Sequence, residues 1–511
     1  MPATKWSSLA FSRRSFLAPA AAAVGLTPFG NWILSLANAA TPAVRVRPEA
    51  SSPEGKKMLE LYRQGVGLMQ AKLAMHHPHS WRFQANIHRY PAAENVASIF
   101  RPGEGEDSAT VARHRKLALG TETRGNPGSD RIWATCRHGD QHFFPWHRLY
   151  LAYFEQIVER IVDKPFALPY WGYLDKNRRQ LPDVFRDKTV NGQANPLYFP
   201  ARTTDFLTNG LLESDIPALS ETGSGNIMKN PNLFRNPRRR GFSEELEEDL
   251  HNQIHGAIGT SVGMGNPLWA ARDPIFWLHH ASVDMLWESW RQPAEDGSSA
   301  RDPHNGSDWY TPKYAFVDVN EQRNGASGAK YVLRAADNLK YRYDELLVVP
   351  SIAVAAGPQV GGPTAPVTVQ KGAVAGNKIK GKNDSVTVTF SPAVSEGRAL
   401  GLSRDTNTRY DLALKLQTAP QPGVYKVFVK QTSGAGAEAL VGTFSLFGVG
   451  AASHDHRGKA VVPDVTVRVD ITDRVRDGTV DPVKPGSIVI RASYLDDPVD
   501  ITVKGADIIA K

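Results

Sequence analysis

The chain has a single cysteine, Cys136, among 511 residues. One thiol excludes an internal disulfide framework, so Cys136 is either an inert buried residue or has a special role. Dense Lys/Arg mixed with aromatics is also missing, so a formal charge of +8 leaves no nucleic-acid footprint. The densest basic run, Arg238-Arg239-Arg240 after Pro237, reads as a solvated loop. Long apolar runs are equally scarce. The stretch 18–36 is apolar but is interrupted by Pro19, Gly25, Pro28 and Gly30, which argues against a spanning helix.

That stretch has another reading. Arg13-Arg14-Ser15-Phe16-Leu17 precedes it, and Ala37-Asn38-Ala39 follows as a small-residue cleavage site. Residues 1–39 are therefore expected to be a twin-arginine signal peptide, removed on export. Its three positive charges (Lys5, Arg13, Arg14) and no acid would take the formal charge from +8 to +5. The expected destination is the periplasm or the exterior, reached through the twin-arginine export machinery.

Two domains are expected after the leader. Residues 40–345 are rich in Trp, Phe and His with helical periodicity: 54–73, 149–162, a segment capped by Ser243, and one opened by Asp273-Pro274 and running to about Trp290. This predicts a mainly α domain, a four-helix bundle around a metal centre. Residues 346–384, with the Pro/Gly/Ala-rich stretch 350–366 at their core, read as a linker. Residues 385–511 carry short alternating runs separated by turn residues, which predicts an all-β sandwich or barrel.

Six histidines fall into two groups of three: His88, His138, His147, and His251, His255, His280. His251 and His255 are spaced i, i+4, so both imidazoles lie on one helix face. Three imidazoles per metal with no carboxylate suit a late transition metal such as copper, and two such groups predict two copper ions handling dioxygen. His279 precedes His280, and only one of two adjacent helical residues can point at a given metal.

The flanking residues carry a resemblance. His138, Phe143-Phe144-Pro145-Trp146-His147-Arg148, Leu151 and Glu155 resemble the first copper signature of the tyrosinase/polyphenol oxidase family. Asp273-Pro274-Ile275-Phe276-Trp277, His280 and Asp284 resemble the second, and His251-Asn252 with His255 its remaining pair. The resemblance implies copper A on His88, His138 and His147, and copper B on His251, His255 and His280, with His279 only a neighbour. His76, His77 and His79 match no ligand position and read as a polar loop; His142 occupies a free motif position.

The resemblance implies more. Cys136 stands two residues before His138, as in fungal members where a thioether joins the two; plant members place their cysteine where this chain has Arg89-Tyr90-Pro91. Glu247 and Asn252 match a pair that holds a water deprotonating an incoming phenol, and Gly256 leaves that side of the entrance open. Ser307-Asp308-Trp309 opens a 307–345 segment like the one after the plant catalytic domain. Leu440-Val441-Gly442-Thr443-Phe444 resembles the plant C-terminal domain, which implies a shield over the site, relieved by an activating protease cutting within 349–382. The implied activity is oxidation of o-diphenols to o-quinones with O2, and hydroxylation of monophenols. An o-aminophenol oxidase, a hemocyanin-like oxygen carrier and a structural zinc protein are the alternatives.

Overall fold

The computed structural model describes residues 44–511, apart from 92–93, 125, 237–239, 296, 325–326, 350–365, 376–377, 405–407, 432–437, 450–461 and 483. The signal-peptide reading of 1–39, Arg238 and Arg239, and most of the 350–366 stretch lie outside the described residues. Among the described residues no helix is long and apolar enough to cross a membrane.

Helices dominate the first part: α1 (Pro53–Ala71), α2 (Trp81–His88), α3 (Ser108–Leu119), α4 (Phe143–Val162), α5 (Asn252–Ile258) and α6 (Ile275–Arg291). Ser52 caps α1 by accepting from the Gly55 amide, and Ser80 caps α2 by accepting from Phe83. Helix α4 starts six residues before the amphipathic run that marks it, because Phe143, Phe144 and Trp146 are buried and Pro145 is tolerated in a first turn. It packs against α1 and α6.

The helix expected from Ser243 begins one residue earlier. Phe242–Glu245 is α-helical, Leu246–His251 is a π-turn, and α5 continues the run. Gly241, not Ser243, is the N-cap, and its amide donates to the Glu244 carboxylate at 2.8 Å. Arg240 is no solvated loop residue either. It is mostly buried and pairs with Asp249 at 3.0 Å and Glu248 at 3.1 Å, which anchors this helical run.

A buried ion network locks α4 to α6. Arg148 donates to Asp284 at 2.6 Å, and Tyr341 and Tyr343 hydroxyls donate to the same carboxylate, each at 2.6 Å. Arg47 bonds Glu155 through both oxygens (3.0 and 3.2 Å) and lies 3.6 Å over the Tyr341 ring. The strand carrying it, Arg45–Arg47, pairs in parallel with Tyr341–Tyr343. The signature residues Arg148, Glu155 and Asp284 thus hold the helices that carry the histidines.

The second part is a nearly closed antiparallel barrel of nine strands: β1 (Val367–Ala375), β2 (Lys378–Ile379), β3 (Ser385–Pro392), β4 (Tyr410–Gln417), β5 (Val424–Gln431), β6 (Ala439–Ser445), β7 (Asp464–Asp470), β8 (Gly486–Ser493) and β9 (Ile501–Ala510). Its order is β6-β5-β8-β3-β1-β9-β4-β7, with β2 on β9. The edge strands β6 and β7 meet at Gly442, where an added Cβ would sit 2.2 Å from Val469 Cγ1. Strand β1 falls inside the 346–384 stretch that composition marks as linker. Its small residues conceal it, yet it pairs on both sides, with β9 and β3.

Candidate metal centre

The six histidines converge in the helical part. Each comes from a different local device: His88 ends α2, His138 sits in the loop before α4, His147 is in the first turns of α4, His251 closes the π-turn, His255 is in α5 and His280 in α6. All are at most 3% exposed apart from His138, which is part-buried. Ring centroids within the first triplet are 5.1 Å (His88–His138), 5.4 Å (His138–His147) and 5.9 Å (His88–His147) apart. Within the second they are 4.5 Å (His251–His255), 4.9 Å (His251–His280) and 5.4 Å (His255–His280). The triplets face each other: His147 stacks on His280 at 4.4 Å and His138 lies 5.8 Å from His251.

Hydrogen bonds select one ring nitrogen in four of the six. Nδ1 of His88 meets the Pro267 carbonyl at 2.9 Å, that of His147 the Phe143 carbonyl at 2.8 Å, and that of His255 the Met264 carbonyl at 2.9 Å. Nδ1 of His251 meets Asn252 Oδ1 at 2.9 Å. These acceptors place the proton on Nδ1 and leave an Nε2 lone pair inside. For His88 and His251 that buried Nε2 has no hydrogen-bond partner. Orphaned imidazole lone pairs converging at this spacing are what copper ions would satisfy, so the donor set fits two copper ions.

Burial also holds all six below the ordinary histidine pKa, with His147 lowered to about 3. Neutral imidazoles are the ligating form. Around the second triplet, donor atoms of His251, His255 and His279 lie within 4.8 Å of one another. His280 differs in position: its Nε2 is 3.2 Å from that of His255, and its ring also touches His147 and His88 of the first triplet. His279 packs on His251 at 5.3 Å and on His255 at 4.8 Å, and also meets Tyr173.

Cys136 is buried against the first triplet. Its sulfur is 3.3 Å from His147 Nε2 and 3.7 Å from both ring nitrogens of His138. Equal distances put the sulfur on the plane that bisects the His138 ring through Cε1.

Glu247 and Asn252 line one cavity of about 450 Å3 together with His138 and Phe447. The Gly139 amide donates to Glu247 Oε1 at 2.7 Å, and burial pushes this carboxyl well above the usual range. The entrance expected beside Gly256 is not open. An added Cβ there would lie 2.3 Å from the Gly423 carbonyl oxygen, and the Gly423 amide donates to Gly256 O at 3.2 Å. The barrel backbone occupies that side.

The barrel also supplies a residue that sequence reasoning missed as a functional one. Phe447, just past β6, lies face to face with the His255 imidazole at 3.8 Å and 6°. It also meets His138 at 5.5 Å and His251 at 5.6 Å edge-on. An aromatic ring therefore fills the space above the histidines. A lone Phe in a turn of a distant domain carries no signal of this in the sequence.

His142 plays a structural part, stacking on Trp309 and sharing a hydrogen bond with the Tyr314 hydroxyl. Trp309 in turn donates to the Gln141 carbonyl at 2.7 Å, so the 307–345 segment braces the loop before α4.

Comparison with known proteins agrees with this geometry. Residues 78–211 and 201–293 match the common central domain of tyrosinase. The chain is 28% identical over 287 residues to tyrosinase HcTyr1 of Hahella sp. (strain CCB-MM4), covering 52% of this chain and 56% of that one. It is 27% identical over 322 residues to the chloroplastic polyphenol oxidase A1 of Vicia faba, covering 58% and 46%. It thus spans about half the length of these relatives. In fold it is similar to latent apple tyrosinase, with a TM-score of 0.53 at 20% identity over 92% of this chain and 98% of that one. Residues 78–293 thus match the tyrosinase central domain, and the chain is similar to tyrosinases and polyphenol oxidases.

Proposed function

We propose that the protein is a type 3 copper phenol oxidase that oxidises o-diphenols to o-quinones and hydroxylates monophenols with O2. The observation that carries the reading is the pair of facing histidine triplets with inward lone pairs. In this reading His88, His138 and His147 hold copper A, and His251, His255 and His280 copper B. Helices α1 and α4, the run from Phe242 to Ile258 and α6 are then the expected bundle, with α2 adding His88. His280 is preferred to His279 because it alone of the two touches both triplets. Two bound copper ions would supply the binding and reduction of dioxygen.

The protein's own residues supply position and proton handling. The Nδ1 bonds fix four of the six imidazoles, and Phe143 and Phe276 pack against the histidines as an aromatic wall. Glu247 Oε1 is held by the Gly139 amide, which leaves Oε2 to receive a phenol proton through a water shared with Asn252. A carboxyl with a raised pKa suits proton transfer near neutral pH. The Cys136 sulfur in the bisecting plane of His138 supports a Cys136–His138 thioether, readable as an intact mass short by two hydrogens.

Phe447 on His255 supports a shielding role for the barrel. A cut that frees the shield falls before Val367, since β1 lies within the barrel sheet. That narrows the activating cleavage proposed for 349–382. Export as a folded, twin-arginine-addressed protein to the periplasm or beyond completes the reading. The deciding experiment is oxygen uptake with tyrosine, L-DOPA, catechol and o-aminophenol, before and after limited proteolysis of copper-loaded protein. Uptake with catechol that rises on cleavage supports the proposal; bound dioxygen without turnover on any of the four favours a carrier.

A further inference from the structure

A second cluster of metal-ligating side chains lies outside the paired triplets. His76, His77 and His79, in the loop before α2, meet His114 of α3 and two carboxylates, Glu106 and Glu321. His77 Nε2 is 3.2 Å from Glu321 Oε1, and donor atoms of His77, His79 and Glu321 all lie within 4.8 Å of one another. We propose that His77, His79 and Glu321 form a three-ligand site for one divalent transition metal of the zinc class, with a water in the fourth position, separate from the paired triplets.

The spacing supports a metal. Two ligands on one tetrahedral zinc ion, at bonds of about 2.0–2.2 Å, stand roughly 3.3–3.5 Å apart. The His77–Glu321 pair is close to that separation without moving. His79 is prepared in a different way: its Nε2 meets the Asp318 carbonyl at 2.9 Å, which places the proton there and leaves Nδ1 as a lone pair. His79 is buried, while His77 and Glu321 are part-exposed, which gives an ion an entry path.

Binding has two costs. The His77 proton must pass from Nε2 to Nδ1, which gives up the bond that Nδ1 accepts from the His79 amide at 3.1 Å. Arg113 donates to Glu321 Oε2 at 3.2 Å and repels a nearby cation. Its part-exposed side chain can turn to solvent, and Oε1 faces His77 independently of it. The remaining pair, His76 and His114, is joined Nδ1 to Nδ1 at 3.0 Å and backs the site. A bound ion would tie the loop ahead of α2 to the 318–321 turn, and so steady the helix that ends in His88.

The test titrates zinc chloride into copper-loaded, full-length protein against a chromophoric zinc chelator, with copper counted in parallel. The parent is expected to take up one zinc per chain without releasing copper, and zinc is expected to raise its melting temperature. His77→Ala with Glu321→Gln should weaken that uptake by roughly a hundredfold and abolish the melting shift, with copper content and catechol oxidation unchanged. Arg113→Ala should bind zinc more tightly, and shows the site through a variant that keeps every ligand. Zinc uptake equal in parent and double variant, or matched by copper release, overturns the proposal.

Discussion

At the residue scale the centre depends on single contacts. Phe447 fills the space above the histidines, and burying a Phe side chain is worth about 1.5–3 kcal/mol. Phe447→Ala is therefore expected to raise catechol-driven oxygen uptake of the uncleaved protein by roughly tenfold or more, and to leave the cleaved protein unchanged. Glu247→Gln keeps the shape and removes the proton acceptor. Tyrosine hydroxylation should fall by about 100-fold or more while L-DOPA oxidation holds, as read by oxygen uptake on each substrate. Retained tyrosine activity in this variant would remove Glu247 from the proton path. The convergence of the six histidines was legible because signature residues surround them at fixed spacing. Phe447 was not, because what defines its role is a fold-level approach between domains. The same holds for Glu321, whose partners His77 and His79 are remote in sequence.

At the element scale, helices α4 and α6 are held by buried charge. Asp284 balances Arg148 and Arg47, with two tyrosine hydroxyls on one oxygen. Asp284→Ala removes the carboxylate that both guanidiniums share and leaves Arg47 to Glu155 and Arg148 to Glu288, so a loss of about 3 kcal/mol is expected in denaturant unfolding. A milder lesion separates the domains. Gly256→Ala puts a methyl against the Gly423 carbonyl, so the barrel should shift away while the helical part keeps its fold. The variant is expected to be partly active without proteolysis. Periodicity located α1 and α6 to within about two residues. It missed the first turn of α4, where buried aromatics and Pro145 obscure the pattern, and it missed β1, whose glycine and alanine resemble a linker. The π-turn at Leu246–His251 has no periodic signature at all, since it inserts into an otherwise regular helix.

At the scale of the whole molecule, buried neutral histidines tie stability to acidity. Each of the six histidines binds its proton less readily folded than unfolded, so the unfolded chain takes up more protons as pH falls below about 6.5. Stability of the metal-free protein should therefore be full above that pH and decline towards about 3, the value of His147. Thermal melts of metal-free protein across this range check it; a flat profile between pH 6.5 and 4 contradicts the assignment. Copper, which competes with those protons, should flatten the decline.

The strand order of the barrel has a bearing on timing. Strand β9, from the far end of the sequence, lies between β1 and β4, and every hydrogen-bonded path from β4 to β1 runs through it. During synthesis the helical part leaves the ribosome and can fold while the barrel still lacks this strand. Phe447 emerges before β8 and β9; the run β6-β5-β8-β3-β1 that holds it waits only for β8, while closure towards β4 and β7 waits for β9. The histidines therefore stay uncovered at least until β8 is made, an interval in which ions can reach them before the molecule closes its own door.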